Sequence, residues 1–151
     1  MPILEPFEPL ATRAPVAPAG PAALVLEVGD DHHALRLEDV RVVVEAPDVT
    51  RVPDAPPAVL GVLNVRGEVV PVLDTGIAAG VAPVGGAPFA VVVEAAPGRV
   101  ALAARAQPRH VVLGPEVGAS ALAVGTHRHA VGDGLVATLL DVDALALEAA
   151  A

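Results

Sequence analysis

The sequence predicts a mainly β protein of short strands and tight turns, with a short helix near its C-terminal end. Hydrophobic residues make up 54% of the 151 residues and aromatic residues only 1%, so small branched side chains must fill the core. Sixteen prolines and 14 glycines disfavour long helices. Short apolar runs rich in valine recur between turn residues, as buried strands do.

The stretch from Val59 to Asp74 gives the clearest element, a buried β-hairpin. Two apolar runs, Val59–Val65 and Val69–Leu73, flank the short turn at Arg66-Gly67-Glu68. Gly67 can adopt the positive φ that a tight hairpin connection requires, which leaves Arg66 exposed at the tip. Pro71 has no N–H to donate, so we expect its strand to be an edge or to be bulged at that point.

The remaining elements are taken in chain order. Residues 1–21 are rich in Pro and Ala and predict an extended tail ahead of one domain over residues 22–151. Before the hairpin, strands are predicted at Ala23–Val28, His33–Leu37 and Val40–Glu45. After it, a Gly/Pro-rich crossover spans Thr75–Pro88. Further strands are predicted at Phe89–Glu94, Arg99–Ala104, Val111–Leu113, Leu122–His127 and Leu135–Leu140.

The chain closes with Asp141–Ala149, a predicted short helix rich in Ala and Leu that Asp141 or Asp143 can cap. The order of a strand cluster, a crossover and a second strand cluster is compatible with two small barrels in one unit.

Charge and composition exclude several functions. The net charge is -9, which disfavours nonspecific binding to nucleic acid or to an anionic membrane surface. All nine basic residues are arginine, so no lysine can act as a nucleophile or form a Schiff base. The absence of cysteine excludes disulfides, thiolate catalysis and cysteine-ligated metal, and suits a cytoplasmic protein. No signal peptide or membrane-spanning segment is predicted.

Candidate catalytic chemistry is sparse. His127 and His129 alternate with Arg128, so on a strand both imidazoles would share a face and could ligate a metal. No third ligand can be named, and a solvated strand end is the favoured interpretation. We therefore assign no catalytic, metal or cofactor residue, and a metal-dependent β-barrel enzyme using His127 and His129 is kept only as the less favoured alternative.

The central hairpin and its flanks resemble the signature of the CheW family of bacterial chemotaxis adaptors. The resemblance rests on the segments Pro53-Asp54-Ala55-Pro56, Gly61-Val62-Leu63-Asn64-Val65-Arg66-Gly67 and Val70-Pro71-Val72-Leu73-Asp74. It extends more weakly from Ala22 to Leu147. It implies the CheW-like fold: two five-stranded β-barrel subdomains that share an apolar core, followed by a short C-terminal helix.

The resemblance also implies a function without catalysis or cofactor. It predicts a cytoplasmic adaptor that couples the cytoplasmic tips of chemoreceptors to the regulatory domain of a CheA-type histidine kinase. An arginine on a rigid turn can make forked contacts with a partner carboxylate or carbonyl. The partner-binding residues that it implies are Val40, Val42, Asn64, Arg66 and Gly67.

Two departures from the family pattern bear on the partners. Val42 stands where family members often carry Glu, and Arg105 stands where they often carry Asp. These changes keep open a diverged CheW-like scaffold that serves a chemosensory system other than swimming.

Overall fold

Two β-sheets, two short α-helices and one 3₁₀ turn at Leu37–Asp39 are present in a computed structural model that describes residues 20–28 and 30–150. The helices are α1 (Thr75–Ala79) and α2 (Val142–Ala149). The strands are β1 (Ala22–Val28), β2 (Asp31–Arg36), β3 (Val40–Glu45), β4 (Val59–Val65), β5 (Glu68–Leu73), β6 (Phe89–Ala95), β7 (Gly98–Ala104), β8 (Arg109–Val112), β9 (Glu116–Ala119), β10 (Gly125–Ala130) and β11 (Val136–Leu140). The predicted mainly β class with a C-terminal helix is confirmed.

The strands form one six-stranded sheet, ordered β8-β1-β2-β11-β10-β9, and one five-stranded sheet, ordered β3-β6-β7-β5-β4. The predicted pair of five-stranded barrels is therefore corrected, since neither sheet closes by strand pairing within residues 20–28 and 30–150. The two edges of the larger sheet, β8 and β9, are separated by only Leu113–Pro115. Because three residues span roughly 10 Å at most, this sheet must curl until its edges nearly meet.

Three apolar clusters, built mainly from Val, Leu and Ala, fill the core with very few aromatic side chains. The largest lies between the two sheets and includes Leu26, Leu35, Leu102 and Leu145, all fully buried. A second cluster lies on the other face of the six-stranded sheet, around Val25 and other small residues. The third cluster lies on the other face of the five-stranded sheet. Central strands with apolar side chains on both faces explain the continuous apolar runs of the sequence.

The crossover between β5 and β6 contains a helix that its Gly/Pro content concealed. Asp74 caps α1: its carboxylate accepts hydrogen bonds from Gly76 and Ile77 at 3.0 and 3.1 Å, and from Val84 and Gly85 at 2.9 and 3.0 Å. The Asp74 side chain is 1% exposed. One buried carboxylate thus fixes both ends of the crossover next to the central hairpin.

The second half of the chain differs from the prediction in its strand boundaries. The predicted strand at Leu122–His127 lies three residues later, at Gly125–Ala130, and β9 was not predicted. Leu122 and Val124 are apolar because they pack against the main core from a turn, where Gly125 donates to the Leu122 carbonyl at 3.1 Å. The strand was predicted three residues too early because these two apolar residues pack from a turn and not from a strand.

The predicted tail, residues 1–21, lies outside the described residues except at its end. Pro21 accepts a hydrogen bond from the Leu113 N–H at 2.9 Å, so the chain is fixed to the six-stranded sheet from that residue onward. The division into a tail and one domain remains a prediction.

Candidate partner-binding site

The tip of the β4–β5 hairpin is a two-residue loop. Val65 pairs with Glu68, which leaves Arg66 and Gly67 as the connection. Both residues have left-handed backbone conformations, with φ of 51° at Arg66 and 88° at Gly67. This is the pattern of a type I′ turn, whose twist matches that of the strands. The Asn64 side-chain oxygen accepts a hydrogen bond from the Gly67 N–H at 2.9 Å and braces the turn.

The edge strand β3 reaches the same region through a β-bulge. Val40 lies opposite Val93 and Val42 opposite Val92, so Arg41 is the extra residue. Val93 belongs to the core between the sheets and Val92 to the cluster on the other face of the five-stranded sheet. The bulge therefore turns Val40 and Val42 toward opposite faces of the sheet.

A cavity of about 220 Å³ lies beneath the hairpin tip, on the face that carries Val42. It is lined by Arg41, Val42, Val65, Arg66, Glu68, Val92 and Arg99. Its floor is apolar, because Val92 is buried and Val42 and Val65 are half-buried. Its rim is charged, which gives an apolar contact area surrounded by groups that can orient a partner.

The rim charges form a chain of ion pairs across four strands. Arg41 Nε and Arg99 Nε lie 2.7 and 2.9 Å from Glu94 Oε2, and an Arg99 terminal nitrogen lies 2.7 Å from Glu68 Oε1. Hydrogen bonds from Arg41, and then from Arg99, hold the pKa of Glu94 below its ordinary value. Arg66 forms no ion pair with any residue in 20–28 or 30–150. Within the described residues, its guanidinium therefore differs from those of Arg41 and Arg99, which are both paired on this rim.

The structure brings together some of the five predicted partner-binding residues. Val42 and Arg66 line the same cavity, Asn64 and Gly67 build the turn that presents Arg66, and Val40 packs against the core between the sheets. Val40 and Val42 do not share a face of the sheet, because the bulge at Arg41 reverses the side-chain alternation.

Sequence analysis missed the ion-pair chain. Glu94 ends one predicted strand and Arg99 begins the next, and the two lie directly opposite each other, so pairing these two strands could have shown this ion pair. The contribution of Arg41 could not be predicted, because its direction depends on the bulge.

The two candidate metal-ligating histidines lie on β10 at the other sheet. His127 Nδ1 is 3.5 Å from Glu116 Oε1, and His129 Nδ1 is 3.1 Å from the Gly114 carbonyl oxygen. Within residues 20–28 and 30–150, no three His, Cys, Asp or Glu residues are grouped as metal ligands would be. Arg105, the other departure from the family pattern, is exposed just after β7.

The fold defines a class of β-rich protein in two sheets, with an apolar cavity at the tip of the central hairpin and charged residues around it. The CheW-like domain model matches residues 22–150, so the chain belongs to the CheW-like domain family, whose members are scaffolds of chemotaxis and not enzymes. No curated protein has a significant sequence match to the chain.

The solved structures that resemble the chain include the scaffolding protein TtCheW from Thermoanaerobacter tengcongensis. The match has a TM-score of 0.71 at 20% identity and covers 83% of this chain and 92% of that one. At this identity, the match supports the fold. Among the described residues, no helix is long and apolar enough to cross a membrane.

Proposed function

We propose that this protein is a cytoplasmic adaptor that holds chemoreceptor tips and a CheA-type histidine kinase in one signalling complex. The cavity shared by Val42 and Arg66 carries the proposal, because it joins two of the residues that the family resemblance assigns to partner contacts. The role is positional. A shift in the receptor changes kinase output because the complex binds the two receptor states with different affinity.

The electrostatics of the cavity support a contact with an acidic or carbonyl-rich partner surface. Glu94 and Glu68 pair with Arg41 and Arg99, whereas the Arg66 guanidinium has no such pairing within the described chain. A type I′ turn fixes the backbone that carries Arg66, so a forked contact needs little further ordering of the main chain.

Val42 is the feature that favours an altered partner. A glutamate here would face the cavity lined by Arg66, whereas valine leaves this part apolar. The partner that fits this chain therefore places an apolar group against Val42 and an acceptor against Arg66. A partner surface with an apolar group beside an acceptor could belong to a swimming system or to a chemosensory system with another output.

The proposal is tested by Arg66→Ala, with receptor and kinase fragments captured from the native cell as ligands. Loss of a desolvated forked contact should weaken binding by about 1–3 kcal/mol, measured by calorimetry or surface plasmon resonance. Arg66→Lys keeps the charge and removes the forked guanidinium, so its affinity for the partner should lie between those of the parent protein and Arg66→Ala. Arg109→Ala is the matched control, an exposed arginine on β8 outside this cavity. Equal affinities for Arg66→Ala and Arg109→Ala would remove the hairpin from the interface.

Val42→Glu distinguishes the ordinary receptor surface from an altered one. If the partner is of the ordinary kind, the new carboxylate should be tolerated or should strengthen binding. If Val42 meets an apolar partner group, the buried carboxylate should abolish the complex while the fold persists. Circular dichroism of the free variant checks the fold. Unchanged binding by both Val42→Glu and Arg66→Ala would contradict the assignment of this face.

A further inference from the structure

A second cavity, of about 250 Å³, lies on the six-stranded sheet, away from the proposed partner site. Its wall is formed by β2, β10 and β11 and by the segment from Ala119 to Leu122. Thr138 lies opposite His33 on one side and opposite Arg128 on the other, so the three side chains form a row on one face. The size suits a small metabolite, since drug-sized ligands need larger pockets.

His33 is the unusual member of this cavity. Its side chain is 1% exposed, and its Nδ1 has no hydrogen-bond partner in the structure. A buried polar atom without a partner is costly, and most such atoms in proteins are paired. His33 lines the cavity, but its Nδ1 lies below the surface, so the ring reports on events in the cavity without being exposed to it. Burial lowers the pKa of His33, which keeps the ring neutral near pH 7.

Two opposite charges border the same cavity. Asp31 precedes His33 by two residues on β2, and Arg128 lies two strands away on β10. Both side chains belong to exposed residues, and neither forms an ion pair with any other residue in 20–28 or 30–150. Adjacent strands are about 4.8 Å apart, so the main chains at His33 and Arg128 are separated by roughly 10 Å. Ala121, Leu122 and Val136 supply apolar wall between the charges.

We infer that this cavity binds a small zwitterion of amino-acid size, with its ammonium group toward Asp31 and its carboxylate toward Arg128. A simple anion would be repelled by Asp31 and a simple cation by Arg128, whereas a molecule with both charges satisfies both residues. Thr138, which is half-buried opposite Arg128, adds a hydrogen-bonding group to the cavity.

Three probes of matched size test the inference on the full chain: 4-aminobutanoate, butanoate and butylammonium. Nuclear magnetic resonance follows the ring signals of His33 while each probe is added. We expect saturable shifts with 4-aminobutanoate at an affinity at least tenfold above that of either singly charged probe. Arg128→Gln should lower the affinity for the zwitterion at least tenfold, as should Asp31→Asn, while Arg105→Gln should leave it unchanged.

Three results would overturn the inference. They are no saturable shift with 4-aminobutanoate, equal shifts with all three probes, and undiminished binding after Arg128→Gln. Asp31 and Arg128 lie at the surface, so their variants should fold, and unchanged dispersion of the amide signals verifies this. Because the cavity is on the other sheet, failure here leaves the proposed partner site untouched, and the Arg66 experiment can fail independently.

Discussion

Arg66 and Asp74 lie eight residues apart on the same hairpin and show how one strand pair serves two purposes. Arg66 is exposed at the tip, and its side chain makes no ion pair with any described residue. Asp74 is buried at the base and accepts four backbone hydrogen bonds. The comparison teaches that a charge in a motif is structural where backbone donors surround it and available for binding where they do not.

Asp74→Ala should have the largest effect on stability. It removes the acceptor of four N–H groups, of which those of Gly76 and Val84 are buried, and should lower the free energy of unfolding by about 3 kcal/mol or more. Chemical denaturation measures the loss. Asp141→Ala is the control, since Asp141 caps α2 through two N–H groups at an exposed position and should cost about 1 kcal/mol. Similar losses for the two would break the comparison.

Gly67→Val should have the next largest effect on stability. The φ of 88° is strained for any β-branched residue, and we expect a loss of about 1–3 kcal/mol in the free energy of unfolding. No atom lies within 4 Å of an added Cβ, so the Cβ itself adds no steric overlap to the backbone strain. Gly67→Asn tolerates the left-handed region and should cost clearly less. A valine variant as stable as the parent would show that the turn rearranges.

Arg66→Ala should change the free energy of unfolding by no more than about 0.5 kcal/mol, which sharpens the contrast with Asp74. The side chain is exposed, and the left-handed backbone is equally demanding for Ala and Arg. Thermal and chemical denaturation both measure this. A large loss would mean that Arg66 holds the hairpin together, and its weaker partner binding could then no longer be assigned to a direct contact.

The smallest effect concerns Glu94. Arg41→Gln removes the first of the two arginines that lower the pKa of Glu94, so that pKa should rise toward its ordinary value of 4.5. Because the folded-state pKa is depressed, the contribution of Glu94 to stability is present above pH 4.5 and is lost as the pH falls through the folded-state pKa. Carboxyl-carbon resonance titration measures both values. An unchanged pKa in the variant would mean that Arg99 alone sets it.

Comparing the two sheets shows how much of the fold could be predicted. The five-stranded sheet was predicted almost strand by strand, because its apolar runs are continuous and separated by Gly and Pro. The six-stranded sheet was predicted less well, because β9 is largely exposed and β10 is polar, whereas the neighbouring Val124 is buried and Leu122 half-buried in a turn. The pattern of apolar residues predicts a strand correctly where the buried residues lie in that strand. It misplaces the strand where the buried residues lie in a turn.

The sequence alone determined the β-rich class, the central hairpin, the positive φ at Gly67 and the exposure of Arg66, since each depends on neighbours along the chain. Only the tertiary structure decided which side chains meet. The bulge at Arg41 separates Val40 from Val42, and strand order places Glu94 between Arg41 and Arg99. It also places His33 and Arg128 on one row of the other sheet. Register and bulges are long-range properties, so the residues within one strand do not specify them.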